Sequence, residues 1–147
     1  MLFRSDAPAV AALWDGTALE TRIVNGGPGA ASAVKSCFAS WTKGTGALLL
    51  AVRALARAEG VEQDLLDEWA TSMPQLIAQS ERQAATSGPK AWRFAGEMRE
   101  LGDAFAAHNL PDGFLRAAAE VYQRLAPLRH EVAPSLDAAL DLLNPLR

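Results

Sequence analysis

The sequence predicts an all-α fold, a helical bundle around one long central helix, and three observations predict it. From Ala30 to Glu59 an apolar-rich run contains no proline, and the next strong stop is Gly60. A helix of about thirty residues would run about 45 Å, longer than a small domain is wide, so it has to be central. Every other long apolar segment also repeats near 3.6 residues rather than 2. Finally, Gly60, Pro74, Gly88-Pro89, Pro111 and Ser135 cut the remainder into short segments of helical length.

Taken in order, Leu2-Phe3-Arg4 form a short apolar start, and Ser5 or Asp6 caps a first helix that carries Pro8 early and ends at Gly16. Val10, Leu13 and Trp14 form its expected inner face. Leu19 to Val24 is partly β-branched and can be extended, but one such stub makes no sheet. On the central helix Val34, Phe38, Trp41, Leu48, Val52 and Leu55 keep to one face, widened by Ala33, Cys37, Leu49 and Ala56, and are expected to be buried. After Gly60, a helix over 61–71 turns Leu65, Leu66 and Trp69 inward, and Pro74 opens another through Leu76 and Ile77 to about Ala85. Thr86 to Pro89 is the clearest internal loop. Lys90 to His108 places Trp92, Ala95, Met98, Leu101 and Phe105 on one side, with Asn109 as the stop. Pro111-Asp112 starts a helix carrying Phe114, Leu115, Val121, Tyr122 and Leu125. Ser135, with Asp137 in the first turn, opens a last one with Leu136, Leu140 and Leu143. That makes about seven helices, mostly short connections and no internal repeat.

The 147 residues fit one domain with a substantial core, since half of them are apolar. A formal charge of −3 with interspersed signs argues against a nucleic-acid surface or an anionic-membrane binder. Cys37 is the single cysteine, which excludes an intramolecular disulfide and reads as a buried thiol in a reducing compartment. A metal site would need His108 and His130, which are far apart in sequence, so none is expected. The chain has neither a leader-like segment nor an apolar run of about 18 residues, and the expected location is cytoplasmic.

Two features carry candidate chemistry. Asn25-Gly26-Gly27-Pro28-Gly29 leads into the central helix, whose first N–H groups could meet an anion, but no phosphate-loop Gly-Lys-Ser/Thr follows. From Lys35, helical steps reach Ser32, Ala39, Thr42, Lys43 and Gly46, all small, polar or cationic. That face is either the wall of a cavity, the seat of another chain, or a solvated lysine face. Elsewhere, Arg93, Glu97 and Glu100 are spaced as an ion-paired helix surface, and His108 and His130 read as capping or surface histidines.

Pro28-Gly29-Ala30-Ala31-Ser32-Ala33-Val34-Lys35, then Trp41-Thr42-Lys43-Gly44, and later Trp92-Arg93-Phe94-Ala95-Gly96-Glu97-Met98 resemble the C-terminal helical domain of β-hydroxyacid dehydrogenases, the 6-phosphogluconate dehydrogenase-like family. The resemblance extends to a subgroup, the putative C-terminal domain of phosphogluconate-dehydrogenase-like NAD-binding proteins. It implies Lys35 as general acid/base on a substrate hydroxyl, with Gly29, Ser32, Lys43 and Arg93 as substrate-binding residues. It also implies a small anionic substrate of the β-hydroxy-acid kind, NAD or NADP held by a preceding Rossmann domain, and a homodimer formed through such helices. Where the family has an asparagine four residues after the lysine, this chain has Ala39. Where the family has a Lys-Asp pair in the later helix, Gly96-Glu97-Met98 stand here. Residues 1–24 resemble the end of a Rossmann domain and 25–147 the helical domain. On this reading the chain binds no cofactor alone, is inactive without an upstream Rossmann domain, and has no metal. The other reading is a stand-alone, non-catalytic helical binding or assembly module.

Overall fold

The computed structural model describes residues 6–144, so the expectations for Leu2-Phe3-Arg4 and for Ser5 as a cap lie outside the described residues. Among the described residues the secondary structure is helical, with no strand, and the seven α-helices are α1 (Ala7–Ala12), α2 (Ala30–Ala58), α3 (Glu62–Ser72), α4 (Gln75–Ser87), α5 (Ala91–Ala107), α6 (Gly113–Leu125) and α7 (Leu136–Leu143). The all-α expectation and the single long helix therefore hold, α2 stopping one residue short of its expected end. The chain divides into two compact units, one up to Phe38 and one from Ala39.

In the first unit α1 is shorter than expected. Its helical bonds end at Ala12, and turns carry the chain to Gly16, whose φ of 77° reverses it. Leu13 and Trp14, expected to face inward, lie beyond the helix and are exposed, whereas Val10 is half-buried. Residues 18–25 form no regular element. Cys37 is exposed, not buried as its apolar setting suggested.

The second unit holds the core, and it corrects the reading of α2. Ala47, Leu50 and Ala54 are buried there, while Trp41, Leu48 and Leu55, expected inside, stand 72%, 63% and 61% exposed. Of the small face only Gly46 is buried, Ser32, Lys35 and Thr42 being exposed, and Leu49 and Ala56 of the expected stripe are buried as well. A side chain at Gly46 would collide with the Gln83 amide of α4, so the bare backbone allows the close approach. With Gly46, Ala47 and Ala54 inward, the large residues of the opposite stripe have nowhere to go but out.

The remaining helices follow their apolar faces. Trp69 of α3 is buried with Leu65 and Leu66 half-covered, as expected. On α5, Ala95, Met98 and Leu101 are buried, although Trp92 is 48% exposed. Asn109 does stop that helix, with φ 56° and the Leu110 N–H returning to the Phe105 carbonyl. On α6, Leu115, Tyr122 and Leu125 are buried but Phe114 is exposed. Ser135 caps α7, its hydroxyl accepting the Ala138 N–H at 3.1 Å. The expected loop at 86–89 is not a loop: α4 runs through Ser87 and a 3-10 turn over Gly88–Lys90 leads directly into α5. Gly88 is helical there, and a Cβ on it would lie 2.6 Å from Pro134 Cγ, so this glycine serves close packing and not a turn.

Candidate functional site

The glycine turn is built as the residue types require. Gly29 takes φ 88°, a conformation that side chains resist, immediately before α2. The Ala30 N–H reaches the Gly27 carbonyl at 3.0 Å and the Ala33 N–H the Gly29 carbonyl at 2.9 Å. A Cβ on Gly26 would fall 2.6 Å from that of Ala30, so the backbone closes tightly on the helix start. A groove of about 520 Å³ runs beside this turn, lined by Trp14, Ile23, Gly27, Gly29 and Ser32. Lys35 lies exposed one turn beyond Ser32, outside the groove lining and on the same helix face by spacing. In the first unit Gly29 and Ser32 therefore line one groove, and Lys35 stands outside its lining.

Lys43 and Arg93 belong to the second unit, where they meet at one aromatic ring. The Lys43 ammonium sits 4.5 Å and the Arg93 guanidinium 5.4 Å from the centroid of buried Phe94. Glu97 ion-pairs with Lys43 across the helices, so the expected surface pairing within α5 gives way to an inter-helix bond. Tyr122 packs edge-on to Phe94 at 5.3 Å and donates its hydroxyl to the Lys43 carbonyl at 2.8 Å. Burial pushes the Tyr122 phenol up to about 12, against the hydrogen bonds of Gln83 and Ser87. Lys43 is thus held at both its backbone and its ammonium. An incoming anion would have to replace Glu97 at Lys43, whereas Arg93 is exposed and directly accessible.

A second polar cluster, not foreseen from the sequence, occupies the other end of α2. Arg53 is 5% exposed, donating to Ser80 Oγ at 2.8 Å and to Glu62 Oε1 at 2.7 Å. Arg57 bonds Glu62, Asp137 and Asp141, tying α2 to α3 and α7. The hydrogen bond from Arg53, aided by Arg57 and opposed by burial, holds the Glu62 carboxyl below the usual carboxylate range. The bond to Asp137 likewise raises Arg57. The signal in the sequence was an arginine among Leu49, Leu50, Ala54 and Ala56, readable only once the buried face of α2 is known. Among the described residues no His, Cys, Asp and Glu cluster could hold a metal, and no helix is long and apolar enough to cross a membrane.

Among the described residues the Gly26–Gly29 turn does not have the setting of a dinucleotide-binding turn. The described residues contain no strand, and the Gly26–Gly29 turn follows an irregular segment, so no strand–turn–helix unit is present to carry a dinucleotide.

Against known families, residues 56–125 match the model described as Domain of unknown function (DUF1932). That family is the NAD-binding-associated C-terminal domain of 6-phosphogluconate dehydrogenase-like proteins. The match takes in α3 to α6 with Arg93, and it begins after Gly29, Ser32, Lys35 and Lys43. No curated protein and no solved structure matches the chain.

Proposed function

We propose that the chain is the substrate-binding and dimerisation part of an NAD(P)-dependent oxidoreductase that acts on a small β-hydroxy acid or related hydroxyl compound. The observation that carries this reading is the match of residues 56–125 to a dehydrogenase-associated domain, joined to a lysine that follows a tight glycine turn. Lys35 is the general acid/base, exchanging a proton with the substrate hydroxyl. Gly29 and Ser32 are the substrate-binding residues of the first unit, and in the second unit Lys43 and Arg93 are the cations for an anionic group, Lys43 by giving up Glu97. The nicotinamide belongs to a Rossmann domain outside the residues described, and no group of this chain is assigned to it.

The test is to fuse a Rossmann domain from a 6-phosphogluconate dehydrogenase-like protein ahead of the chain and assay NAD(P)-dependent turnover. Lys35→Ala should lower kcat by at least about 100-fold, the scale of a lost general acid/base, with helical content unchanged. Equal turnover in the variant would falsify the catalytic role.

A second reading, an assembly module, draws on one specific observation. Trp41, Leu48 and Leu55 recur every seven residues along α2 and all three are exposed. A seam of that period suits the corresponding helix of a second copy, which supplies the dimer of the first reading as well.

A further inference from the structure

The outward stripe of α2 has a property beyond its apolar period. Within residues 41–58 the charged side chains are Lys43, Arg53 and Arg57, and each is ion-paired to another helix: Lys43 to Glu97, Arg53 to Glu62, and Arg57 to Glu62, Asp137 and Asp141. A helix whose far side meets water carries its charges on that side. Here the order is reversed. Trp41, Leu48 and Leu55 stand outside, half-buried Thr45 and Val52 lie between them by spacing, and the stripe meets no charge before Glu59. Thr45 is its polar member, and the Thr45 hydroxyl donates to the Trp41 carbonyl at 2.6 Å, so it can enter a dry contact without a further partner.

The exposed parts of Trp41, Leu48 and Leu55 come to roughly 400 Å², about half of the roughly 800 Å² that each partner gives to a standard interface. An uncharged patch of that size is seldom left to water. The occupant that matches it is the same stripe of a second copy. Residues 41, 45, 48, 52 and 55 alternate in steps of four and three, the spacing by which two helices interlock, and small Gly44, Ala51 and Ala58 run beside them.

Glu59 selects the direction. The Glu59 N–H still reaches the Leu55 carbonyl at 2.9 Å, so this exposed residue continues the helical path seven positions beyond Val52. Two parallel copies would set one Glu59 against the other at the seam, beside the negative ends of both helices. Two antiparallel copies keep the carboxylates apart and lay Trp41 of each along residues 52–55 of the other.

We propose that α2 pairs with α2 of a second copy in antiparallel direction over residues 41–55, about a two-fold axis near Leu48. This pairing rests on the dimer seam of the preceding section and adds its direction.

The direction is read with a nitroxide at Ala58→Cys in a Cys37→Ser background, both positions being exposed and outside the stripe. At a rise of 1.5 Å per residue, antiparallel copies centred near Leu48 place the two labels about 30 Å apart, whereas parallel copies bring them within about 20 Å. Double electron–electron resonance on the dimer fraction should therefore give a mean beyond about 25 Å. A shorter mean overturns the antiparallel direction and leaves the dimer standing, while a Cys37→Ser chain that sediments as a monomer overturns both. Should the label itself break the dimer, oxidation of unlabelled single-cysteine chains decides. Leu48→Cys, next to the axis, should cross-link to itself at least about tenfold faster than Leu55→Cys, whose two copies lie beyond disulfide reach. Equal rates at the two positions overturn the proposal.

Discussion

Gly88 and Tyr122 show how far a single residue's type can mislead or inform. Gly88 followed by Pro89 reads as a loop, but the backbone there is helical and the missing Cβ is what admits Pro134 and Leu128. Gly88→Ala should therefore lower stability by about 1–3 kcal/mol through overpacking, seen as a fall in the urea midpoint with an unchanged slope. Tyr122 was legible as a core residue, but not as the anchor of the Lys43 carbonyl, because a phenol's partner depends on which helix crosses it. Tyr122→Phe should cost about 1 kcal/mol at neutral pH for that lost bond. Since its folded pKa is raised to about 12 from 10.0, the contribution is full below pH 10 and lost as the pH rises toward 12. The stability difference between the wild type and Tyr122→Phe should shrink over that interval, measured by urea unfolding at stepped pH. Glu62 works in the opposite sense. Its folded pKa is lowered below 4.5, so its stabilisation is present above that value and fades as the pH falls through the folded pKa. Glu62→Gln should be less stable than the wild type at pH 7 and approach it at pH 3.

At the scale of the element, helix ends were easier to read than helix faces. Gly29 and Gly60 bracket α2 with positive φ, and Asn109 and Ser135 mark their boundaries, because each signal acts on its own backbone. Which stripe of α2 faces inward was not legible in the same way. Both the Trp41, Leu48, Leu55 stripe and the Leu50, Ala54 stripe satisfy a helical period, and the choice falls to the depth that neighbouring helices can reach. Gly46 leaves room there for the Gln83 amide. The outward stripe then has a measurable consequence. Sedimentation at tens of micromolar should show a dimer, and Leu48→Glu should return it to a monomer with the helical CD signal preserved. A wild-type monomer under those conditions would count against the seam. Of the candidate site, the glycine turn at Gly29 and the helix start behind it were legible, because local sequence builds them. The Glu97 partner of Lys43 comes from another helix and has no local signature.

For the molecule as a whole, a far-ultraviolet CD spectrum should be strongly helical, and one with a quarter or more strand would contradict the fold. The family match and the lysine turn fall on different stretches of the chain, so the dehydrogenase reading is tested by restoring a Rossmann partner and not by inspecting either stretch alone. The unequal exposure of the tryptophans, finally, makes this protein its own optical reporter. Trp69 is 5% exposed and should emit in the blue beyond the reach of acrylamide, whereas Trp41, at 72%, should emit in the red and be quenched freely. Trp92 is stacked 4.3 Å under the Arg129 guanidinium. With Trp14, Trp69 and Trp92 replaced by Phe, the emission maximum of Trp41 becomes a label-free gauge of whether that face of α2 is wet or covered. It can be read across a dilution series in a cuvette, with no tag or dye added to the surface in question.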